Sequence, residues 1–115
     1  MEQELKIAKS LIEEILKQNG LKLIKVILFG SRARGDYEKD SDYDFFVIID
    51  KDLTFPQKME INTKIRRKLV ENNISGDIIL QCERKVEERK NNVGYLSYYV
   101  LKEGITLWMK LLKIG

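Results

Sequence analysis

The feature that most constrains this chain is an alternation. Short, almost wholly apolar runs are separated by longer stretches in which apolar residues recur at helical spacing. Leu23 to Phe29 is apolar apart from Lys25, ends at Gly30, and is too short for a core helix, so it reads as a buried strand. Asp42 to Asp50, rich in Phe, Val and Ile, and Ile74 to Gln81 read the same way. Ahead of them, Leu5, Ala8, Leu11, Ile12, Ile15 and Leu16 line one helical face, and Asn19-Gly20 is a stop. Thr54 is placed to cap a second helix with Pro56 in its first turn. Met59, Ile61, Ile65, Leu69 and Val70 give that helix its apolar face, and Asn72-Asn73 ends it. Ser31 to Gly35 has room for one helical turn, and Asp36 to Ser41 is a polar loop. Asn91 or Asn92 opens a last helix carrying Leu96, Tyr99 and Val100 and ending at Gly104. Ile105 to Trp108 reads as a short edge strand. The order helix, strand, short turn, strand, helix, strand, helix predicts an α/β (α+β) fold, a small mixed sheet packed with helices. The pattern leaves open whether the first two strands run antiparallel.

With 115 residues, 43% apolar and 34% charged, residues 1–115 are expected to form a single domain. No apolar run is long enough for a transmembrane helix. The charged start, Met1-Glu2-Gln3-Glu4-Leu5-Lys6, lacks a signal-peptide core, so a cytoplasmic location is expected. The single cysteine, Cys82, excludes an internal disulfide and a multi-cysteine zinc site, and reads as a small buried residue. The absence of histidine excludes more: Ser-His-Asp and Cys-His nucleophile pairs, His-based zinc hydrolysis and a His general base. Any catalysis must run on carboxylates, metals, Lys, Arg or hydroxyls. The net charge of +3 is small and lysine is spread throughout, so no dedicated binding of duplex DNA is expected.

The acidic residues are less evenly spread. Six of the seven aspartates lie between Asp36 and Asp52. Just ahead of that region, Gly30 and Ser31 stand where a buried strand gives way to a turn. Glycine lets backbone approach a ligand, and free amides with the Ser31 hydroxyl favour an anion. Arg32 and Arg34 add positive charge, as phosphate contacts or as ordinary surface charges. These are parts of a triphosphate cradle, although the Walker pattern is absent. Asp42 and Asp44, two apart on a strand, leave the same face about 6.6 Å apart. Such a pair repels itself unless a cation intervenes, and Mg²⁺ suits it. Asp77, on a neighbouring strand, is the best third carboxylate. Asp50, Asp52 and Glu83 sit at the wrong strand ends, and Asp36 and Asp40 read as loop solvation. Three such aspartates would hold two metals about 3.5–4 Å apart, one activating an acceptor hydroxyl and one clamping a triphosphate. Tyr95, Tyr98 and Tyr99 read as core in preference to adenine stacking or partner contact. Trp108 anchors the last element or a dimer contact.

Gly30-Ser31, ten residues, then Asp42-x-Asp44 resembles the signature of the nucleotidyltransferase superfamily that includes DNA polymerase β. The Gly-Ser-Arg-Ala-Arg-Gly wording at Gly30 to Gly35 and the late Lys102-Glu103-Gly104-Ile105 resemble the prokaryotic minimal nucleotidyltransferases (MNT). The resemblance, from about Val26 to Leu107, implies a polymerase β-like nucleotidyltransferase fold. It maps metal-binding aspartates onto Asp42, Asp44 and, less securely, Asp77, and nucleotide binding onto Gly30 and Ser31. It implies Mg²⁺, ATP as donor and release of pyrophosphate. Many such proteins pair with a small helical HEPN protein as toxin and antitoxin, the MNT chain transferring AMP to a HEPN tyrosine. This chain is not the HEPN half, whose RNase motif needs a histidine. With no second domain to bind the acceptor, a partner chain or a second copy (a homo-oligomer) is expected to complete the site. The alternatives are transfer to a small molecule such as an aminoglycoside, and a non-catalytic antitoxin or binding module.

Overall fold

The computed structural model, which describes residues 1–110, contains nine elements among those residues. Helix α1 spans Glu2–Gln18 and buries Ala8, Ile12, Ile15 and Leu16. Strand β1 (Leu23–Phe29) runs into α2 (Ser31–Arg34), a single turn between Gly30 and a left-handed Gly35. Strand β2 covers Tyr43–Ile49. Helix α3 (Phe55–Glu71) starts at a reciprocal cap. The Gln57 amide donates to the Thr54 hydroxyl at 3.3 Å, and the Thr54 amide donates to the Gln57 side chain at 2.9 Å. It ends at Asn72-Asn73, where Asn73 takes a left-handed conformation (φ 62°) that asparagine tolerates better than most residues. Then follow β3 (Gly76–Cys82), α4 (Glu83–Arg89), α5 (Leu96–Glu103) and β4 (Ile105–Met109). Thr54→Ala removes one side of the cap; an equilibrium urea melt is expected to show a loss of about 1 kcal/mol.

The sheet order is β3-β2-β1-β4. β1 pairs antiparallel with β2 and with β4, and β2 pairs parallel with β3. The expected mixed sheet is therefore present, and the open question about the first two strands is settled as antiparallel. The parallel pair follows from α3, whose length returns the chain to the same end of the sheet.

Strand alternation sorts the core into two faces. Tyr43, Phe45, Val47 and Ile49 point into the larger core with α1 and α3, where Ile12, Leu16, Ile65 and Leu69 are fully buried. Phe46 and Ile48 point the other way, into a smaller cluster with Ile27, Val86 of α4 and Val100 of α5. This second face has only two short helices over it. That thin cover leaves one end of the sheet open.

Some details differ from the sequence reading. Met59 and Val70 are 49% and 63% exposed, so the buried stripe of α3 is narrower, formed by Ile61, Ile65 and Leu69. Helix α4 has no counterpart in the pattern, because Val86 is its one buried residue among charges. Trp108 is half-buried against the main core with Lys9 of α1 at 5.0 Å over its ring, so it anchors β4 to α1. Cys82 is buried, as expected.

Candidate active site

The open end of the sheet gathers the aspartates. Asp44, near the start of β2, is in register with Phe29 at the end of β1 and with Asp77 near the start of β3. Adjacent strands lie about 4.8 Å apart, so Asp44 and Asp77 are side by side on the thinly covered face. Asp42 lies just before β2 and accepts a hydrogen bond from the Ser75 hydroxyl, which lies just before β3. Strand β2 begins at Tyr43, so Asp42 stands one residue ahead of the strand on which the sequence reading placed it, and the carboxylates form a corner with Asp44 on β2 and Asp77 beside it on β3.

Gly30 closes this corner. Its backbone (φ 73°, ψ −156°) is a conformation almost reserved for glycine, and a β-carbon there would run into the Asp44 carboxylate. The bend after β1 therefore lies directly on the aspartate. Ser31 begins α2. The Ala33 and Arg34 amides both donate to the Gly30 carbonyl at 3.1 Å, which leaves the Ser31 and Arg32 amides without an intrahelical acceptor. The one-turn helix carries little dipole, so any anion contact here rests on those amides and the Ser31 hydroxyl.

Electrostatics reflect the crowding. The Asp44 carboxyl is held above its ordinary value, first by desolvation, then by the negative charges of Asp77 and Asp42, with Arg34 opposing. The half-buried Asp44 thus sits in the field of two other carboxylates. Oxygen donors concentrated in this way fit a hard divalent cation such as Mg²⁺.

The expected three-aspartate cage, however, is not preassembled: among the described residues, no three carboxyl or thiol groups stand in metal-binding arrangement. Asp77 leans to Arg66 of α3 at 3.5 Å, and Asp42 is taken up by Ser75. Asp50 and Asp52 lie at the opposite end of β2. Asp50 accepts from the Lys22 amide at 2.8 Å, and Asp52 pairs with Arg84 and Lys85, both at 3.3 Å.

The two arginines part company. Arg34 pairs with Asp36 at 3.3 Å and borders a cleft of about 260 Å³ shared with Gly30, Ala33, Leu96 and Tyr99. Arg32 is turned away from the bend: its guanidinium donates to the Ser41 and Lys39 carbonyls. The phosphate role expected for Arg32 does not agree with that orientation. Tyr95 and Tyr99 are 42% and 47% exposed, which corrects their assignment to the core, because α5 buries only its Ser97 and Val100 side. Ser75 and Arg66 were not anticipated. Ser75 stands two residues before Asp77, but nothing in the local pattern aims Arg66 at the site.

A glycine bend laid against paired strand aspartates, beside free amides, is an arrangement that could hold a cation and a phosphorylated ligand. Comparison with known proteins names the class. Residues 10–110 match the family described as Polymerase beta, Nucleotidyltransferase. Two Methanocaldococcus jannaschii proteins named as protein adenylyltransferases are similar. One is 30% identical over 107 residues, 91% of this chain and 98% of the relative. The other is 46% identical over 50 residues, so the match spans 44% of this chain and about half (48%) of the relative. A solved structure described as a toxin–antitoxin with AMP-PNP superposes with a TM-score of 0.60 and 26% identity, over 88% of this chain and 73% of that one. The chain belongs to the polymerase β nucleotidyltransferase family.

Proposed function

We propose that residues 1–115 act as one domain that transfers AMP from ATP to a protein hydroxyl, in the cytoplasm, as the antitoxin of a HEPN-type toxin whose tyrosine is the acceptor. The observation that carries the reading is the in-register pair Asp44 and Asp77 on parallel strands, with Asp42 and Gly30 against them. The naming of two relatives as protein adenylyltransferases supports the acceptor class. The toxin–antitoxin structure with AMP-PNP, an ATP analogue, supports the donor and the setting.

In this reading the triphosphate lies along the Gly30-Ser31 bend, with the Ser31 hydroxyl and the free amides donating to its oxygens. The acceptor oxygen attacks the α-phosphorus; the new O–P bond forms as the bond to the β-phosphate oxygen breaks, and pyrophosphate leaves. The hydroxyl proton passes to Asp77, which stands on the acceptor side. An exposed carboxylate held by one 3.5 Å ion pair reorients at little cost, so Arg66 does not fix Asp77 in place. Asp42, Asp44 and Asp77 would hold Mg²⁺, two ions in the full arrangement, and the metal supplies neutralisation of the charge that develops on the phosphates. The surroundings of Asp44, half-buried and crowded by charge, raise the electrostatic reward for a bound cation.

Incubation with labelled ATP, Mg²⁺ and a HEPN protein encoded beside this chain, followed by mass analysis of both chains, tests the reading. A gain of AMP on a HEPN tyrosine is expected; an unmodified partner contradicts it. Asp77→Asn is expected to lower kcat by about a hundredfold while KM for ATP changes less than about threefold. An equal loss in both would move Asp77 to the nucleotide side.

A further inference from the structure

Arg32 does something other than touch phosphate. Its Nε and Nη2 both donate to the Ser41 carbonyl, at 3.2 and 2.9 Å, and Nη2 also donates to the Lys39 carbonyl at 3.2 Å. The guanidinium lies 4.4 Å from the ring centroids of both Tyr37 and Tyr43. Tyr43 is itself buried, and its hydroxyl donates to Glu4 of α1 at 2.7 Å. One side chain from α2 is therefore tied to both ends of the loop that leads into β2, and through Tyr43 to the core.

The Ser41 carbonyl belongs to the peptide that supplies the Asp42 nitrogen. The next peptide is pinned too, because the Tyr43 amide donates to the Ser75 carbonyl at 2.9 Å. Asp42 is thus held between two fixed peptides. One is fixed by Arg32 and the other by the strand beside it. The loop's own closure is slight: the Ser41 amide donates to the Glu38 carbonyl at 3.1 Å, and the Glu38 amide to the Ser41 hydroxyl at 2.9 Å, at exposed positions.

We propose that Arg32 is a positioning residue: its guanidinium clamps the loop from Tyr37 to Ser41 and thereby sets the Asp42 carboxylate at the metal corner. The consequence for metal rests on the nucleotidyltransferase reading above; the clamp itself does not. The planar fork is the point. It bridges two carbonyls and stacks on two rings at once, which a lysine ammonium does not do. A phosphate contact, by contrast, would be served by lysine as a point charge.

Three measurements on the full chain decide it: hydrogen exchange of the Ser41 and Tyr43 amides without ligand, Mn²⁺ affinity by electron paramagnetic resonance, and metal-free ATP affinity by calorimetry. Arg32→Gln and Arg32→Lys are both expected to speed Ser41 exchange by about tenfold and to weaken Mn²⁺ binding by about tenfold. Metal-free ATP affinity should stay within about twofold. Exchange unchanged in both variants overturns the clamp, as does Arg32→Lys matching wild type while Arg32→Gln loses ATP. Faster exchange with unchanged Mn²⁺ affinity overturns the positioning role. If the Arg32 variants fail to fold, Tyr37→Leu, which removes one exposed ring face, gives the same readout. A wild-type chain that binds neither Mn²⁺ nor ATP defeats the enzymatic reading, while the exchange data still judge the clamp.

Discussion

Asp44→Asn is expected to abolish AMP transfer and, at the same time, to make the folded chain more stable. The two effects share one cause. Asp44 is half-buried beside Asp77 and Asp42, and its carboxyl is held above the ordinary range by desolvation and by those two charges. An acid whose pKa is raised on folding favours the folded state fully below its unfolded value, and that contribution is lost as pH rises through the raised one. The charged form of Asp44 is therefore the less favourable one for folding, and the proposed site would use that charge to bind a cation. Asparagine keeps the shape and removes the charge. The melting temperature at pH 7 should rise by about 2–5 °C, and the difference should shrink on acidification, as wild-type Asp44 takes up its proton. AMP transfer should fall by about a thousandfold or more. Mg²⁺ with ATP should stabilise the wild type and leave the variant unchanged, since a ligand stabilises only the state that binds it. A variant that melts lower than wild type at neutral pH would show that Asp44 is structural.

Gly30→Ala should disturb the bend and the Asp44 carboxylate together. The position combines a positive φ with ψ near −156°, costing a non-glycine residue about 1–3 kcal/mol. The added carbon also meets the Asp44 carboxylate, so either the bend or the aspartate must move. Both belong to the site, and ATP binding should weaken by about a hundredfold. Gly35→Ala is the control. Gly35 has φ 88° with nothing near its would-be β-carbon, so it should lose about 1 kcal/mol of stability and keep ATP affinity. Equal loss of ATP affinity in both variants would mean that backbone strain in α2, and not contact with Asp44, governs the site.

What was legible in the amino-acid string was local. Leu23 to Phe29 ending at Gly30, the Thr54 cap and the Asn72-Asn73 stop each carry their signal within a few residues. Asp44 lies on β2 with Asp42 one residue ahead of the strand, and their spacing of two is enough to pair them from sequence. Asp77 required a guess about register, which only the parallel pairing of β2 with β3 supplies. Arg32 and Arg34 are two apart, yet one faces loop carbonyls and the other the cleft; that choice depends on the rings of Tyr37 and Tyr43. Helix α4 leaves no mark in the sequence pattern, because a charged segment with one buried valine has no periodicity to read. Tyr95 and Tyr99 are exposed where aromatic spacing reads core, because spacing alone does not say which side of a helix finds a core.

In the proposed site, Asp42 and Asp44 bind a divalent cation that in turn binds the nucleotide. Calorimetric titration of ATP into the wild type and into the Asp42→Asn, Asp44→Asn double variant, each with Mg²⁺ and with EDTA, tests it most directly. Wild-type affinity should be at least about tenfold higher with Mg²⁺, and the double variant should show no difference between the two conditions. Equal wild-type affinity with Mg²⁺ and with EDTA would contradict the claim.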